Sequence, residues 1–177
     1  MILARPVSRV RLLVLKWIAG VIFCIVLVGV LGGTALLCAS MWFPWRGMFA
    51  YMPGMMFNVL DAGPGFRLYL LAHVFFAINA SVMFSLAFLF SCFNVKPAAA
   101  TVLALTYLFV NLVMEGIPFF DRYEQWFLPF HFRSWMRVFA DPIPWWQIAQ
   151  SQCVLLGMVV TAFVIGATAF QLRDIKS

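Results

Sequence analysis

Side chains able to do acid–base or hydrolytic chemistry are scarce in this sequence. Its six acidic residues all lie beside or between long apolar runs, at Asp61, Glu115, Asp121, Glu124, Asp141 and Asp174. A catalytic pair of carboxylates inside those runs, or a proton relay of buried acids, therefore has no candidate residues. The phosphate-binding motif GxxxxGK and the hydrolase motifs HExxH and GxSxG do not occur either. These absences predict that the chain alone is not an enzyme.

Two histidines offer imidazoles that can bind haem iron or carry a proton. His73 lies within an apolar run, about 9 Å along a helix from Arg67, and His131 lies in a later aromatic segment. Their separation makes a haem held by both histidines of one copy awkward. We expect His73 to be a hydrogen-bonded residue near the end of its helix.

Soft metal ligands are also present, in the form of thioethers and thiols. Five methionines cluster near the end of the first apolar run, at Met41, Met48, Met52, Met55 and Met56. Thioethers suit Cu(I), but the tryptophans and tyrosine between them favour packing at a membrane interface. The four cysteines stand singly in apolar sequence, at Cys24, Cys38, Cys92 and Cys153. This spacing predicts packing thiols, with neither disulfides nor a zinc site.

The composition identifies the environment that positions these residues. Of 177 residues, 65% are hydrophobic and only 10% are charged, and the mean hydropathy is +1.00. A soluble domain carries roughly a quarter charged residues. The chain is therefore predicted to be an integral membrane protein.

Four uncharged stretches are long enough to cross a bilayer. They cover residues 17–43, 68–95, 97–114 and 151–171. Lipid offers no hydrogen-bond partners to the backbone and strand-like alternation is absent, so each stretch is predicted to be a helix. The first stretch is too long for the apolar core of a signal peptide. The predicted fold is an all-α, polytopic helix bundle with four transmembrane helices, forming one domain over residues 1–177.

The charge distribution predicts the orientation. An even number of spans puts both termini on one side, and that side carries seven basic residues against one acidic residue. The opposite side carries five of each over a longer length. By the positive-inside rule, both termini are predicted to be cytoplasmic. The net charge of +6 then reflects topology and does not indicate a nucleic-acid partner.

The predicted outer segment, residues 115–150, is rich in aromatic side chains. Phe132, Trp135 and Phe139 are spaced for one helix face, and Arg133 and Arg137 share another. We predict a helix that lies in the outer interface and is anchored by its aromatics. The alternative is that the two arginines contact lipid phosphates or an anionic cargo. The candidate interfacial residues are Trp126, Arg133, Trp135, Arg137, Trp145 and Trp146.

Small and polar residues in the spans predict how the helices pack. Small residues recur four apart in three of the spans, at Gly29 and Gly33, at Ala77, Ser81 and Ser85, and at Ala162 and Gly166. Such faces allow close approach of two backbones. Asn79 and Asn111 lie within spans, where an amide needs a partner. They are predicted to bond between helices or, alternatively, to line a polar pathway together with Ser81 and Ser85.

Both ends of the chain carry a family pattern. Residues 3–19, LARPVSRVRLLVLKWIA, resemble the cytoplasmic loop of type-2 ABC-transporter permeases, in which a short coupling helix ends in an ARPVSR turn. Residues 170–177, FQLRDIKS, are similar to the basic RRDI tail of that family, with Leu172 in place of the first arginine. The PIPWW sequence at residues 142–146 resembles the re-entrant region before the last span of the family.

The resemblance implies a permease subunit of an ATP-driven exporter in the plasma (inner) membrane. Its partners would be the lipid bilayer, a second permease copy or homologous chain, and separate ATPase subunits that bind the ATP and magnesium, so that this chain binds no cofactor. Residues 1–11 would contact the ATPase, the first two spans would line the pathway and dimer interface, and the outer segment would close the exit. The residues implied in ATPase coupling are Arg5, Pro6, Val7, Ser8, Arg9 and Arg11.

Family members usually have six spans, with the ARPVSR turn after the second. The resemblance therefore implies that this chain begins at the coupling helix and lacks two spans, as a truncated or split permease or with its true start upstream. The rival interpretation is a haem- or quinone-binding membrane anchor of a redox complex, suggested by His73 and the four spans. A third, an intramembrane hydrolase, would depend on Asp61 or Asp141. The cargo of a transporter stays open.

Overall fold

Four long helices make up most of the molecule. The computed structural model of the protein describes residues 9–44, 46–52, 56–93 and 95–172. Each long helix has the length and composition to cross a membrane. The predicted all-α membrane bundle is thus confirmed at the level of its four helices. They are α1 (Arg9–Trp42), α2 (Ala62–Cys92), α3 (Pro97–Glu115) and α5 (Trp145–Leu172).

All four helices run beyond the uncharged stretches of the sequence at one end or both. α1 and α2 continue through charged residues, because a charge ends an apolar run without ending a helix. Proline and glycine set the limits instead. α5 begins directly after Pro144, and α3 starts with Pro97 and stops at Gly116, where the backbone N–H bonds back to the last turn.

A β-hairpin joins α1 to α2 and was not predicted. Strand β1 (Gly47–Met52) pairs antiparallel with β2 (Met56–Asp61), with Gly47 opposite Asp61. The pairing gives the backbone groups of this connection partners from the opposite strand. The hairpin packs against the start of α2, where a Cβ on the buried Gly65 would lie 3.2 Å from Cβ of Met48.

α2 is the central helix of the bundle. α1, α3 and α5 each pack against α2, whereas α3 and α5 do not pack closely against each other. The apolar core lies where α2, α3 and α5 meet a short helix, α4 (Leu128–Phe132). It consists of Val82, Leu86, Ala104, Leu128, Leu155 and Val159.

Glycines do mediate the contact of α1 with α2, but not the glycines predicted. A Cβ on Gly29 or Gly33 would meet no atom of the described residues within 4 Å, so within one copy these two glycines do not form the predicted close approach. A Cβ on Gly20 would instead overlap the ring of Phe84, and a Cβ on Gly32 would overlap that of His73. Large rings on α2 fill the space over these two glycines. The close approach therefore depends on a glycine facing a ring rather than on the four-residue repeat.

The predicted small-residue faces of α2 and α5 are buried. Ser81, Ser85, Ala162 and Gly166 are all inside the molecule. A Cβ on Gly166 would come within 3.3 Å of Sγ of Cys92. α2 and α5 consequently form the most extensive helix pair of the fold.

Residues 116–144 connect α3 to α5 across one end of the bundle, and we call them the cap. The cap contains a 3-10 helix (Pro118–Trp126), the short helix α4 (Leu128–Phe132) and a second 3-10 helix (Arg133–Phe139). A single α-helix through Phe132, Trp135 and Phe139 was predicted, and the structure differs. With three residues per turn, Trp135 and Val138 lie on one side, which fits the burial of Val138 and the contact of Trp135 with α2.

Candidate functional site under the cap

Amide side chains from three elements, α2, β2 and α5, attach the cap to the rest of the molecule. Asn79 of α2 donates from Nδ2 to the carbonyl oxygen of Phe132 at 2.9 Å, and Asn58 of β2 donates to that of Phe139 at 3.0 Å. Gln152 of α5 donates to Oγ of Ser134 at 2.8 Å. Each of these bonds joins the cap to a residue far away in the sequence. The cap is therefore attached by side-chain hydrogen bonds as well as by the backbone that connects it to α3 and α5.

Asn79 and Asn111, the polar residues predicted within spans, both face the cap end. Asn111 of α3 donates to the carbonyl oxygen of Tyr107 in its own helix, and its Oδ1 lies 3.5 Å from the backbone nitrogen of Leu128. Asn79 is buried, and its Oδ1 has no hydrogen-bond partner among the described residues. An unmatched buried acceptor is a group that a ligand or water can satisfy. That Asn79 and Asn111 line a transport pathway stays a prediction.

Sequence reasoning missed Asn58 and Gln152. Gln152 and Ser134 are both buried, and the Oε1 atom of Gln152 has no partner among the described residues. The available signal was the position of Gln152 in the first two turns of a predicted span, where an amide is costly without a partner. Asn58 carried no such signal, because the strand that holds it was not predicted.

One ion pair links the cap to α3. Nη2 of Arg133 lies 3.0 Å from Oε2 of Glu115, whose side chain is only 5% exposed. Among the described residues, neither carboxylate oxygen has an aligned hydrogen bond, so the contact is chiefly one of charge. A nearly buried carboxylate needs a positive partner, and Arg133 supplies it. Of the two predicted interfacial arginines, Arg133 is therefore engaged within the molecule.

A cavity of about 580 Å³ lies between the cap and the adjoining faces of α3 and α5. Its walls combine aromatic rings with polar groups. The polar lining residues are Gln125, His131, Arg137, Gln147, Gln150 and Ser151. Tyr107 and Trp126 form part of the aromatic wall. A concave, mainly preformed space with a few convergent polar groups is the usual form of a ligand site.

Arg137 is the cationic group of this cavity. Its Nη1 donates to Oε1 of Gln147 at 3.4 Å, and its guanidinium lies 5.0 Å from the ring centroid of Phe130. Gln147 is neutral, so the charge is oriented without being cancelled. Within the part of the chain that the structure describes, Arg137 forms no ion pair.

His131 is buried in the same wall. Its Nε2 donates to the carbonyl oxygen of Gln125 at 2.9 Å, and its Nδ1 has no partner among the described residues. Burial lowers the pKa of His131 below 6.5, and the nearby charge of Arg137 lowers it further, although the bond to Gln125 works in the opposite direction. The imidazole is therefore neutral at neutral pH, with Nδ1 as an acceptor.

His73 lies elsewhere, in the contact between α1 and α2. Its Nδ1 donates to the carbonyl oxygen of Tyr69 at 2.8 Å, and the hydroxyl of Tyr69 donates to that of Gly32 at 2.8 Å. His73 lines a different cavity, of about 370 Å³, together with Phe76 and Trp135. The two histidines are thus not brought together into one site.

The two predicted serines have different roles. Oγ of Ser81 donates to the carbonyl oxygen of Ala77 in its own helix at 2.8 Å. Oγ of Ser85, which is fully buried, accepts a hydrogen bond from Nε1 of Trp17 at 3.2 Å. Ser85 therefore joins α1 to α2.

The predicted interfacial tryptophans divide into exposed and packed residues. Trp126, Trp145 and Trp146 are exposed, while Trp135 packs edge-on against Phe76 with ring centroids 5.8 Å apart. The large exposed rings fit the aromatic belt of a membrane protein.

The residues predicted to couple to an ATPase lie at the limit of the described chain. Arg5, Pro6, Val7 and Ser8 lie outside the described residues, as does the side chain of Arg9. α1 begins at Arg9, and Arg11 in its first turn is exposed. Of the predicted coupling residues, the structure therefore describes only those in the first turn of α1.

Comparison with known proteins adds no family to this description. Neither family models, nor curated proteins, nor solved structures give a match to this chain.

Proposed function

We propose that the chain is the membrane-spanning permease subunit of an ATP-driven exporter of the type-2 ABC kind. In this proposal it lies in the plasma (inner) membrane with both termini cytoplasmic. A second permease copy or homologous chain completes the pathway, and separate ATPase subunits hydrolyse ATP. The permease moves cargo by rearrangement of the two facing bundles.

The observation that carries the proposal is the continuity of α1. The helix runs for 34 residues from Arg9 to Trp42, about 51 Å, with no break between its basic start and its apolar body. A force applied at the basic end is therefore transmitted along the helix. A flexible joint there would dissipate it.

Contacts between α1 and α2 support the next step of transmission. Trp17 bonds Ser85 near one end of α1, and Gly32 fits under the ring of His73 about 22 Å further along. Two such contacts far apart couple the tilt of α1 to that of α2. Since α3 and α5 pack on α2, a displacement of α2 reaches the whole bundle.

The open side of α1 supports pairing with a second bundle. Gly29 and Gly33 are exposed and have open space around them. Small residues four apart allow another helix to approach closely within lipid. In the proposal this side faces the partner permease.

Co-expression with the cognate ATPase tests the proposal. Wild-type chain is expected to copurify with the ATPase in detergent, and the triple variant Arg5→Glu, Pro6→Gly, Arg9→Glu is expected to lose the complex. The matched control is Arg46→Glu with Arg122→Glu, which reverses two charges at the opposite end of the bundle. A triple variant that still holds the ATPase as well as wild type would contradict the proposal.

Labelling tests the orientation separately. A cysteine-free background carrying either Arg122→Cys or Ser177→Cys is treated in intact cells with a membrane-impermeant maleimide. We expect labelling at position 122 and none at position 177. The reverse pattern would place residues 5–11 on the side of the membrane opposite the ATPase and would contradict the proposal.

A further inference from the structure

A groove continues from the cavity under the cap along one face of α5. The cavity and a second, apolar hollow of about 350 Å³ share Val154 and Met158 in their walls. The residues of α5 that line the two spaces recur three or four apart, from Gln147 to Ile165. They therefore lie on one face, over about 27 Å of helix.

Helix packing explains why this groove exists. α3 and α5 both pack on α2 but not closely on each other, so a gap is left between them. At the cap end the gap is walled by Tyr107 of α3 and roofed by the cap, and further along its wall includes Leu86 and Leu89 of α2.

The two ends of the groove differ in chemistry. The cap end holds the guanidinium of Arg137 with amide and hydroxyl groups around it, whereas the other end is lined almost entirely by apolar side chains. Arg133 is paired with Glu115, so Arg137 is the arginine whose charge stays available at this end. The groove is therefore amphipathic, with a cation at one end.

Gly157 makes the apolar end accessible. It lines the apolar hollow in the middle of α5, and a Cβ there would meet no atom of the described residues within 4 Å. Glycine in a helix interior lowers stability by roughly 1 kcal/mol relative to alanine, so an open glycine is not explained by packing within the chain. It leaves room for an apolar chain beside the helix.

We propose that this groove binds an anionic phospholipid, with its phosphate at Arg137 and an acyl chain along α5 past Gly157. Arginine is the side chain best suited to a phosphate, and its hydrogen bonds to it are charge-assisted. From headgroup level to the bilayer midplane is roughly 20 Å, so the groove has the length for one lipid of a single leaflet. The apolar half of the groove favours a lipid over a free anion, because a free anion has no apolar chain to place there. This binding site does not depend on the transport proposal.

Native mass spectrometry of the purified full chain tests the site. The protein is incubated in detergent with dioleoyl phosphatidylglycerol or, separately, with dioleoyl phosphatidylcholine. Wild type is expected to retain phosphatidylglycerol preferentially. Arg137→Gln is expected to weaken that retention by about tenfold or more, and Arg137→Lys by less. The matched control Arg122→Gln removes an exposed arginine of the cap outside the groove and is expected to bind as wild type does.

A second pair of variants tests the acyl chain. Gly157→Phe fills the open space and is expected to reduce retention of the dioleoyl lipid, while leaving that of short-chain dihexanoyl phosphatidylglycerol unchanged. Gly157→Ala is expected to retain both. Thermal unfolding of all variants checks that they are folded.

Three results would overturn the proposal. One is equal retention of the anionic and zwitterionic lipids with no effect of Arg137→Gln. Another is complete displacement of the lipid by millimolar inorganic phosphate, which would make the site a simple anion pocket. The third is unchanged retention of dioleoyl lipid in folded Gly157→Phe, which would move the acyl chain out of the groove.

Discussion

α1 and α2 are similar in length and apolarity but differ in their place in the fold. α1 has 34 residues and α2 has 31, and both qualify as spans. Among the residues of α1 whose burial the structure describes, only Leu13, Val28 and Gly32 are buried. α2 has buried residues along its whole length, from Gly65 to Cys92.

The difference between the two helices lies in their polar residues. α2 carries Asn79, Ser81 and Ser85 on its buried faces, and two of these bond to other elements. α1 contributes no amide to these contacts among the described residues; it places Gly20 and Gly32 under rings of α2, and Trp17 donates to Ser85. Hydropathy therefore identifies a span, whereas amides and hydroxyls within the span identify the centre of the bundle, since each needs a partner in lipid.

The largest expected effect comes from removing core volume beside α2. Leu155 of α5 is fully buried in the core, while its neighbour Leu156 is 48% exposed. We expect Leu155→Ala to lower the free energy of unfolding by about 2–5 kcal/mol because a cavity forms. Leu156→Ala is the matched control, with an expected change within about 0.5 kcal/mol. Unfolding by SDS in mixed micelles measures both variants. Equal losses of unfolding free energy would contradict the placement of the core where α5 packs against α2.

Adjacent glycines of α1 provide the next test. Gly32→Leu places a side chain against His73, and we expect a loss of about 1–3 kcal/mol from overpacking. Gly33→Leu enters open space and is expected to leave monomer stability unchanged or slightly raised by helix propensity. The same SDS unfolding assay compares them. Tolerance of both substitutions would mean that α1 is not packed on α2 through Gly32.

A smaller effect is expected at the bond between α2 and the cap. Asn79→Ala removes the hydrogen bond to Phe132. We expect this to lower the free energy of opening of the cap by about 0.6–1 kcal/mol. Asn111→Ala, whose contact with the cap is 3.5 Å long, is expected to have less effect. Hydrogen exchange of the amides in residues 127–139 measures the opening. An effect of Asn111→Ala equal to or larger than that of Asn79→Ala would reverse this ranking.

The smallest effect is a pH dependence at the cap. Because burial keeps the pKa of His131 below 6.5, the unfolded chain binds a proton before the folded chain does as the pH falls. Stability is therefore expected to be constant above about pH 6.5 and to decrease below it, until the lowered pKa is reached. Thermal unfolding from pH 7.5 to 5 should show this decrease. His131→Gln should flatten it, and an unchanged slope in that variant would assign the dependence to other groups.

The sequence was sufficient for the four helices, because long apolar runs have few other structures available in lipid. The hairpin was missed because the two apolar strands do not alternate clearly, although a Pro53–Gly54 pair, a common turn dipeptide, stands between them in the sequence.

The site under the cap was only partly predictable. Asn79, Arg133 and Arg137 were named from the sequence, but not the pairing of Arg133 with Glu115 that distinguishes the two arginines. That distinction depends on how the cap folds back on α3, and its short helices have little periodicity. The contact of α1 with α2 was predicted at Gly29 and Gly33 but lies at Gly20 and Gly32, for a similar reason. The rings that cover Gly20 and Gly32 belong to another helix, so the sequence of α1 alone does not identify them.

α1 and α3 also differ in the thickness of membrane that suits them. At about 1.5 Å per residue α1 extends for roughly 51 Å and α3 for roughly 28 Å, against a hydrocarbon layer of about 30 Å. α3 matches that layer when it stands upright, whereas α1 must lean or project beyond it. A thinner or thicker bilayer consequently changes the slant of α1 relative to its shorter neighbour, so lipid chain length becomes a variable that acts directly on this protein.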